Sequence, residues 1–208
     1  MTNVINPNKI NNILFFNPKI IKENNYKRGK YNHLLIEKPE DFIILPTEDK
    51  TEREKNSEFK KFREQLYKGI RSSGKFCSGL AASYIKDSLI ECDAILKVES
   101  SITRSKKING FATLKFYKGS KSLYIDVICT NTEIKGTGTF IFKLLNNLCK
   151  KMSIENIKLS ATESAVPFYL KIDFECNPLC KMIKPVTGGG SKTKKNRKNI
   201  YSKTKKNY

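Results

Sequence analysis

A chain of 208 residues with 38% hydrophobic content can bury one ordinary core, and its length predicts a single domain with extensions. Apolar runs such as Ile13–Phe16 and Phe42–Leu45 fall far short of the roughly 20 residues that span a bilayer, which argues against a membrane partner and predicts cytoplasmic or nuclear residence. The formal charge of +20 attracts polyanions, yet lysine greatly outnumbers arginine and Asn and Ile are abundant, a compositional bias that raises charge without selection for nucleic acid.

Residues 1–40 hold broken apolar clusters with no sustained period and are expected to form an irregular N-terminal extension. Phe42–Leu45, closed by Pro46, predicts the first strand of a domain over 41–186. Phe59, Phe62, Leu66 and Ile70 stand at helical spacing, so a helix is expected from Glu52 to about Arg71. A second short helix is expected over Cys77–Ile85. Three β segments follow at 94–99, 108–117 and 122–130, the last two joined by a hairpin-type link in which Gly119 supplies backbone freedom. Ile141, Leu144, Leu145, Leu148 and Met152 share one helical face and predict a helix from about Gly138 to Lys151. Residues 157–161 then read as a strand running into a short helix that bears Tyr169. Strand, crossover helix and strand in succession put 122–130 and 157–161 side by side and parallel, while the earlier strands form hairpins. The fold class is therefore α/β (α+β), a mixed sheet flanked by helices. Residues 187–208, with eight cations, no acid and Gly188–Gly190, read as a basic disordered tail.

Six cysteines lie scattered without a Cys-x-x-Cys pair and read as buried thiols. Cys176 and Cys180 supply at most half a zinc site, and the only histidine, His33, lies far upstream. No metal is expected, and a single imidazole argues against a Ser-His or Cys-His nucleophile.

The chemistry concentrates where the strand 122–130 ends in a glycine turn and opens a helix. Gly136 and Gly138 let backbone approach an anion closely, and the helix they open aims unpaired N–H groups and the positive end of its dipole at it. Residues 133–139 and 161–175 together resemble the GCN5-related N-acetyltransferase (GNAT) superfamily. Glu133-Ile-Lys-Gly136-Thr-Gly138 stands for a Gln/Arg-x-x-Gly-x-Gly/Ala signature after the fourth strand, and Tyr169-Leu-Lys-Ile-Asp-Phe174 for a Tyr-x-Lys-x-Gly-Phe-like segment after the fifth. The likeness covers 90–180 closely and 41–90 loosely.

This resemblance implies the acyl-CoA N-acyltransferase fold, acetyl-CoA as cofactor, an amine-bearing acceptor and direct attack without a covalent enzyme intermediate. It implies that peptide groups around Asp126, Val127 and Ile128 pair with the pantetheine arm, and that N–H groups of Ile134, Lys135, Gly136, Thr137, Gly138 and Thr139 hold the pyrophosphate, with Lys135 adding charge and Thr137 or Thr139 a hydroxyl. Tyr169 matches the general acid that protonates the departing thiolate. Thr162 stands where many members carry an Asn that touches the cofactor arm.

By alternation Tyr124, Asp126, Ile128 and Thr130 share a face opposite Leu123, Ile125, Val127 and Cys129, and Asp126 is the candidate base or ammonium partner. A bulge, common in this strand of the family, would reverse the side it faces. Two residues depart from the pattern. Glu133 puts a negative side chain near the expected pyrophosphate, and Asp173 replaces a Gly but tolerates left-handed backbone. Two other readings stand beside the enzyme: a catalytically silent CoA-binding or scaffold protein, and a polyanion-binding protein working through the tail. Acceptor-binding segments are expected at about 53–90 and 175–186, without a recognisable specificity motif.

Overall fold

The structure, a computed structural model, describes residues 3–4, 10–17, 43–44, 51–73, 76–77, 79–102, 105–117, 119–176 and 181–186. Its strands are β1 (Asn3–Val4), β2 (Ile10–Phe16), β3 (Ile43–Ile44), β4 (Ala94–Ile102), β5 (Ser105–Tyr117), β6 (Ser122–Thr130), β7 (Ile134–Lys135), β8 (Asn156–Ser160), β9 (Glu175–Cys176) and β10 (Lys181–Pro185). Its helices are α1 (Glu52–Ser73), α2 (Ala82–Glu91), α3 (Thr137–Lys151) and α4 (Val166–Lys171), the last entered through a 3-10 turn at Glu163–Ala165.

The main sheet has the order β3-β2-β4-β5-β6-β8-β10-β9, in which β2, β4, β5 and β6 are successively antiparallel, and β6 and β8 are parallel. Leaving aside the two-residue β3, this is a seven-stranded mixed sheet with four helices, the acyl-CoA N-acyltransferase arrangement expected above. Helices α3 and α4 cover one face, where Leu96, Leu114, Ile125, Ile141, Leu145 and Leu159 meet. Helices α1 and α2 cover the other, against Phe15, Ile95, Phe111, Val127 and Cys129.

The helix α1 starts where a capping box allows it. Thr51 Oγ1 accepts from Glu54 N at 3.3 Å, and Glu54 Oε2 accepts from Thr51 N at 2.8 Å, so two orphan donors are satisfied reciprocally. The expected helix at Cys77–Ile85 lies instead at Ala82–Glu91. Cys77 and Gly79 both take positive φ, 55° and 94°, which no right-handed helix accommodates.

The N-terminal boundary also differs from the expectation. The first long strand is β2, within the segment 1–40 read as an extension, and it pairs along its whole length with β4. Leu14 packs into one core and Phe15 into the other, so the strand is buried on both faces and lacks the alternation by which a half-exposed strand is recognised. Of the expected first strand, Phe42–Leu45, the described residues are Ile43–Ile44, which pair in parallel with Ile13–Leu14. After α4 the chain adds the hairpin β9–β10, with β10 inserted beside β8. The basic tail, His33 and Cys180 lie outside the described residues.

Two of the cysteines read as thiols are joined. Cys77 and Cys129 form a disulfide across 52 residues with Cα atoms 5.1 Å apart, fastening the α1–α2 connection to β6. Cys92 and Cys149 are buried thiols, and burial pushes each up to about 12. The pairing escaped the spacing argument because it depends on tertiary proximity, which six scattered cysteines do not encode.

Candidate active site

The site begins where the parallel pair parts. Strands β6 and β8 pair from Ser122↔Asn156 to Ile125↔Leu159 and no further, so on that side β6 has no strand partner over Asp126–Thr130 among the described residues. An extended ligand can add to such an edge as a strand would. A register shift opposite Thr113/Leu114 leaves Asp126 as the extra residue of a β-bulge. Val127 N, freed from the regular ladder, donates to Thr113 Oγ1 at 2.9 Å, and that hydroxyl is 2.7 Å from Ser88 Oγ on α2.

The bulge changes which residues share a face. Ile125 belongs to the α3-side core and Val127 to the α2-side core, and Asp126 also turns toward α2, where its Oδ1 accepts from Tyr84 Oη at 2.9 Å. Ile128 and Thr130 turn the opposite way and line a cavity of about 350 Å³. The expected common face of Tyr124, Asp126, Ile128 and Thr130 is therefore split, with Tyr124 and Asp126 on the α2 side. Val127 keeps only its backbone for a ligand, because its side chain is fully buried.

That cavity gathers the glycine turn and the phenol. Lys135, Gly136, Thr137, Gly138 and Thr139 form one wall, Phe168 and Tyr169 another. Gly136 has φ 87°, which turns the chain sharply into α3 at little cost only for glycine. The first helical bond at this end is Phe140 N to Gly136 O at 3.0 Å, so the N–H groups of Thr137, Gly138 and Thr139 precede it. A Cβ on Gly138 would stand 3.0 Å from Phe168 Cζ, so this glycine lets α4 close against the turn. Two expected donors are already engaged. Ile134 N donates to Asn131 O at 3.1 Å, and Thr137 Oγ1 donates to Ile134 O at 3.2 Å. The hydroxyl expected of Thr137 is thus held inside the turn, while Thr139 and Lys135 are exposed. Strand β1 runs parallel to β7 at Ile134–Lys135.

Tyr169 sits edge-on to Phe142, Phe168 and Phe174 at centroid distances of 5.8, 5.3 and 5.6 Å. Burial pushes its phenol up to about 12, since the phenolate is poorly solvated there. Asp173, in the place of the family's Gly, takes φ 69° and so adopts the left-handed geometry expected of it. Thr162 is exposed, lies 3.3 Å from Ser164 through its hydroxyl and does not line the cavity. Glu133 pairs with Lys107 at 3.4 Å and is likewise absent from the lining.

Three residues at the site were not singled out from sequence. Asn131 is fully buried, lines the cavity and braces the turn by accepting from Glu133 N at 2.9 Å. Its signal is a short amide side chain at the start of a turn, where such groups bond backbone two residues on. Phe168 carried no signal beyond its place beside Tyr169. Tyr84 lies one helical turn before Ser88, so α2 holds the bulge at two points, but nothing local in the sequence pairs it with Asp126.

No protein-family model matches the chain, and no curated protein sequence does. Solved structures do resemble it. Tetrahymena GCN5 is 16% identical, with 68% of this chain and 93% of that one covered and a TM-score of 0.48. Many of these neighbours are GNAT acetyltransferases. The Tetrahymena GCN5 histone acetyltransferase catalytic domain in complex with coenzyme A is 15% identical, covering 69% and 92% at a TM-score of 0.47. Ard1 from Thermoplasma volcanium is 17% identical, covering 59% and 94% at 0.45. At these identities and scores the likeness is one of fold. Among the described residues no helix is long and apolar enough to cross a membrane.

Proposed function

We propose that this chain is an acetyl-CoA-dependent N-acetyltransferase that passes an acetyl group to a primary amine by direct attack. The observation that carries the reading is that one cavity is bounded both by the glycine turn and by Tyr169, beside the edge of β6 that has no strand partner among the described residues. The residues present fit a diphosphate-bearing thioester carrier. Thr137, Gly138 and Thr139 offer N–H groups at a helix N-terminus, Lys135 offers a countercharge, and the β6 edge offers peptide groups for an extended arm. Acetyl-CoA, when bound, supplies an activated acyl thioester. Tyr169 holds a proton at Oη that it can give to a departing thiolate, and Asp126 offers a carboxylate to the attacking amine across the vertex where β6 and β8 diverge. The silent-module reading rests on Glu133 and on the lack of the strand-four glutamate that some histone-modifying family members carry; the pairing of Glu133 with Lys107 away from the cavity weakens the first of these.

The test is thiol release from acetyl-CoA with a panel of primary amines, run as a pH series. A phenol at about 12 stays protonated well into alkali, so its acid function is retained as pH rises and is lost only through its raised pKa. Turnover should show no alkaline fall-off between roughly pH 8 and 10, where an ordinary tyrosine begins to ionise. Thiol release with no amine on the panel would refute the reading, and a decline with a midpoint near pH 9 would remove Tyr169 as the acid.

A further inference from the structure

The α2-side face of the β6 vertex carries a constellation that the cavity does not use. Asp126 is half-buried, and Tyr84 donates to its Oδ1 at 2.9 Å. Tyr124, two residues earlier on the same face, stands about 7 Å along the strand. Its ring meets that of Tyr117 edge-on at 6.4 Å, and its hydroxyl reaches Ser160 Oγ at 3.2 Å on the parting strand β8. Tyr84, bonded to the carboxylate, and Tyr117, against Tyr124, remain 45% and 51% exposed and so leave aromatic surface open on this face.

In a chain with twice as many cations as anions, Asp126 is notable for its partner. Among the described residues it takes a tyrosine hydroxyl and no ammonium or guanidinium. Two cations do share this face. Lys115, opposite Tyr124 on β5, pairs with Glu91 of α2 at 3.5 Å, and Lys158 is the register partner of Tyr124 on β8. One carboxylate framed by aromatic rings suits one ammonium, with methylenes against the rings and cation–π attraction added. The neighbouring lysines oppose a second positive charge.

We propose that Asp126, flanked by Tyr84 and Tyr124 with Tyr117 packed edge-on against Tyr124, is the acceptor subsite and that it takes monocationic alkylamines in preference to polyamines. This rests on the acetyltransferase reading and adds to it the class of acceptor. Because the subsite opens at the vertex where β6 and β8 part, it faces the same divergence as the Tyr169 cavity, from the opposite side of the sheet.

Binding without any acyl donor separates this proposal from catalysis. Hexylamine and hexamethylenediamine, equal in length but differing by one charge, are titrated calorimetrically into the full chain. Hexylamine should bind at least tenfold more tightly than the diamine. Asp126→Asn should weaken hexylamine at least tenfold, and Tyr117→Ala, at an exposed ring, about threefold, with unchanged circular dichroism confirming that both variants fold. Equal binding of the two amines, or unchanged hexylamine affinity in Asp126→Asn, would overturn the proposal. Selective binding with no thiol release from acetyl-CoA would uphold the subsite and reject the enzymatic reading alone.

Discussion

Tyr169→Phe is expected to lower kcat by roughly 10²- to 10⁴-fold while coenzyme A affinity changes less than about threefold. The three edge-on rings around it hold the aromatic ring in place with or without the hydroxyl, so the substitution removes a proton donor and little packing. Such a loss corresponds to about 3–5 kcal/mol of barrier, far more than one neutral hydrogen bond contributes to stability. Stopped assays of thiol release, with cofactor binding measured separately by calorimetry, give the split between kcat and affinity. Full turnover in the variant would leave the phenol a packing residue.

Cutting the Cys77–Cys129 bond is expected to cost about 4 kcal/mol, because it closes a loop of 52 residues and the chain-entropy relation gives about 3 to 4.7 kcal/mol between 15 and 100 residues. Urea unfolding with and without dithiothreitol measures it. The wild-type midpoint should fall under reductant to that of Cys77→Ser, and Cys77→Ser should not respond to reductant. A wild-type midpoint that reductant leaves unmoved would show that the bond does not hold the fold. Reduction should also be felt at the site, since Cys129 lies between Ile128 and Thr130, both of which line the cavity.

Legibility followed the range of the interactions. Helix α3 could be read because Ile141, Leu144, Leu145 and Leu148 form a one-sided stripe that a single helix expresses locally, and all four are buried where the stripe predicts. The adjacency of the glycine turn to Tyr169 was also readable, since a strand, helix and strand in order leave little choice of pairing. By contrast, the side to which Ile128 and Thr130 turn is decided by one inserted residue, Asp126, held by Thr113 and by Ser88 some forty residues away from it in the chain, and strict alternation has no means of seeing it. Strand β2 was missed for a related reason: with both faces buried and Asn11 and Asn12 near its start, it shows neither period nor uniform polarity. Thr162 and Thr137 were placed by family position alone. Their hydroxyls are engaged by Ser164 and by the Ile134 carbonyl, choices that depend on loop geometry.

The most direct measurement is a coenzyme A titration of the ¹⁵N-labelled chain followed by amide chemical shifts. The largest changes are expected at Thr137, Gly138 and Thr139, with a second set along Asp126–Thr130, where β6 has no strand partner on the β8 side among the described residues. Saturation of the cofactor with those amides unmoved and the changes gathered elsewhere would contradict the account.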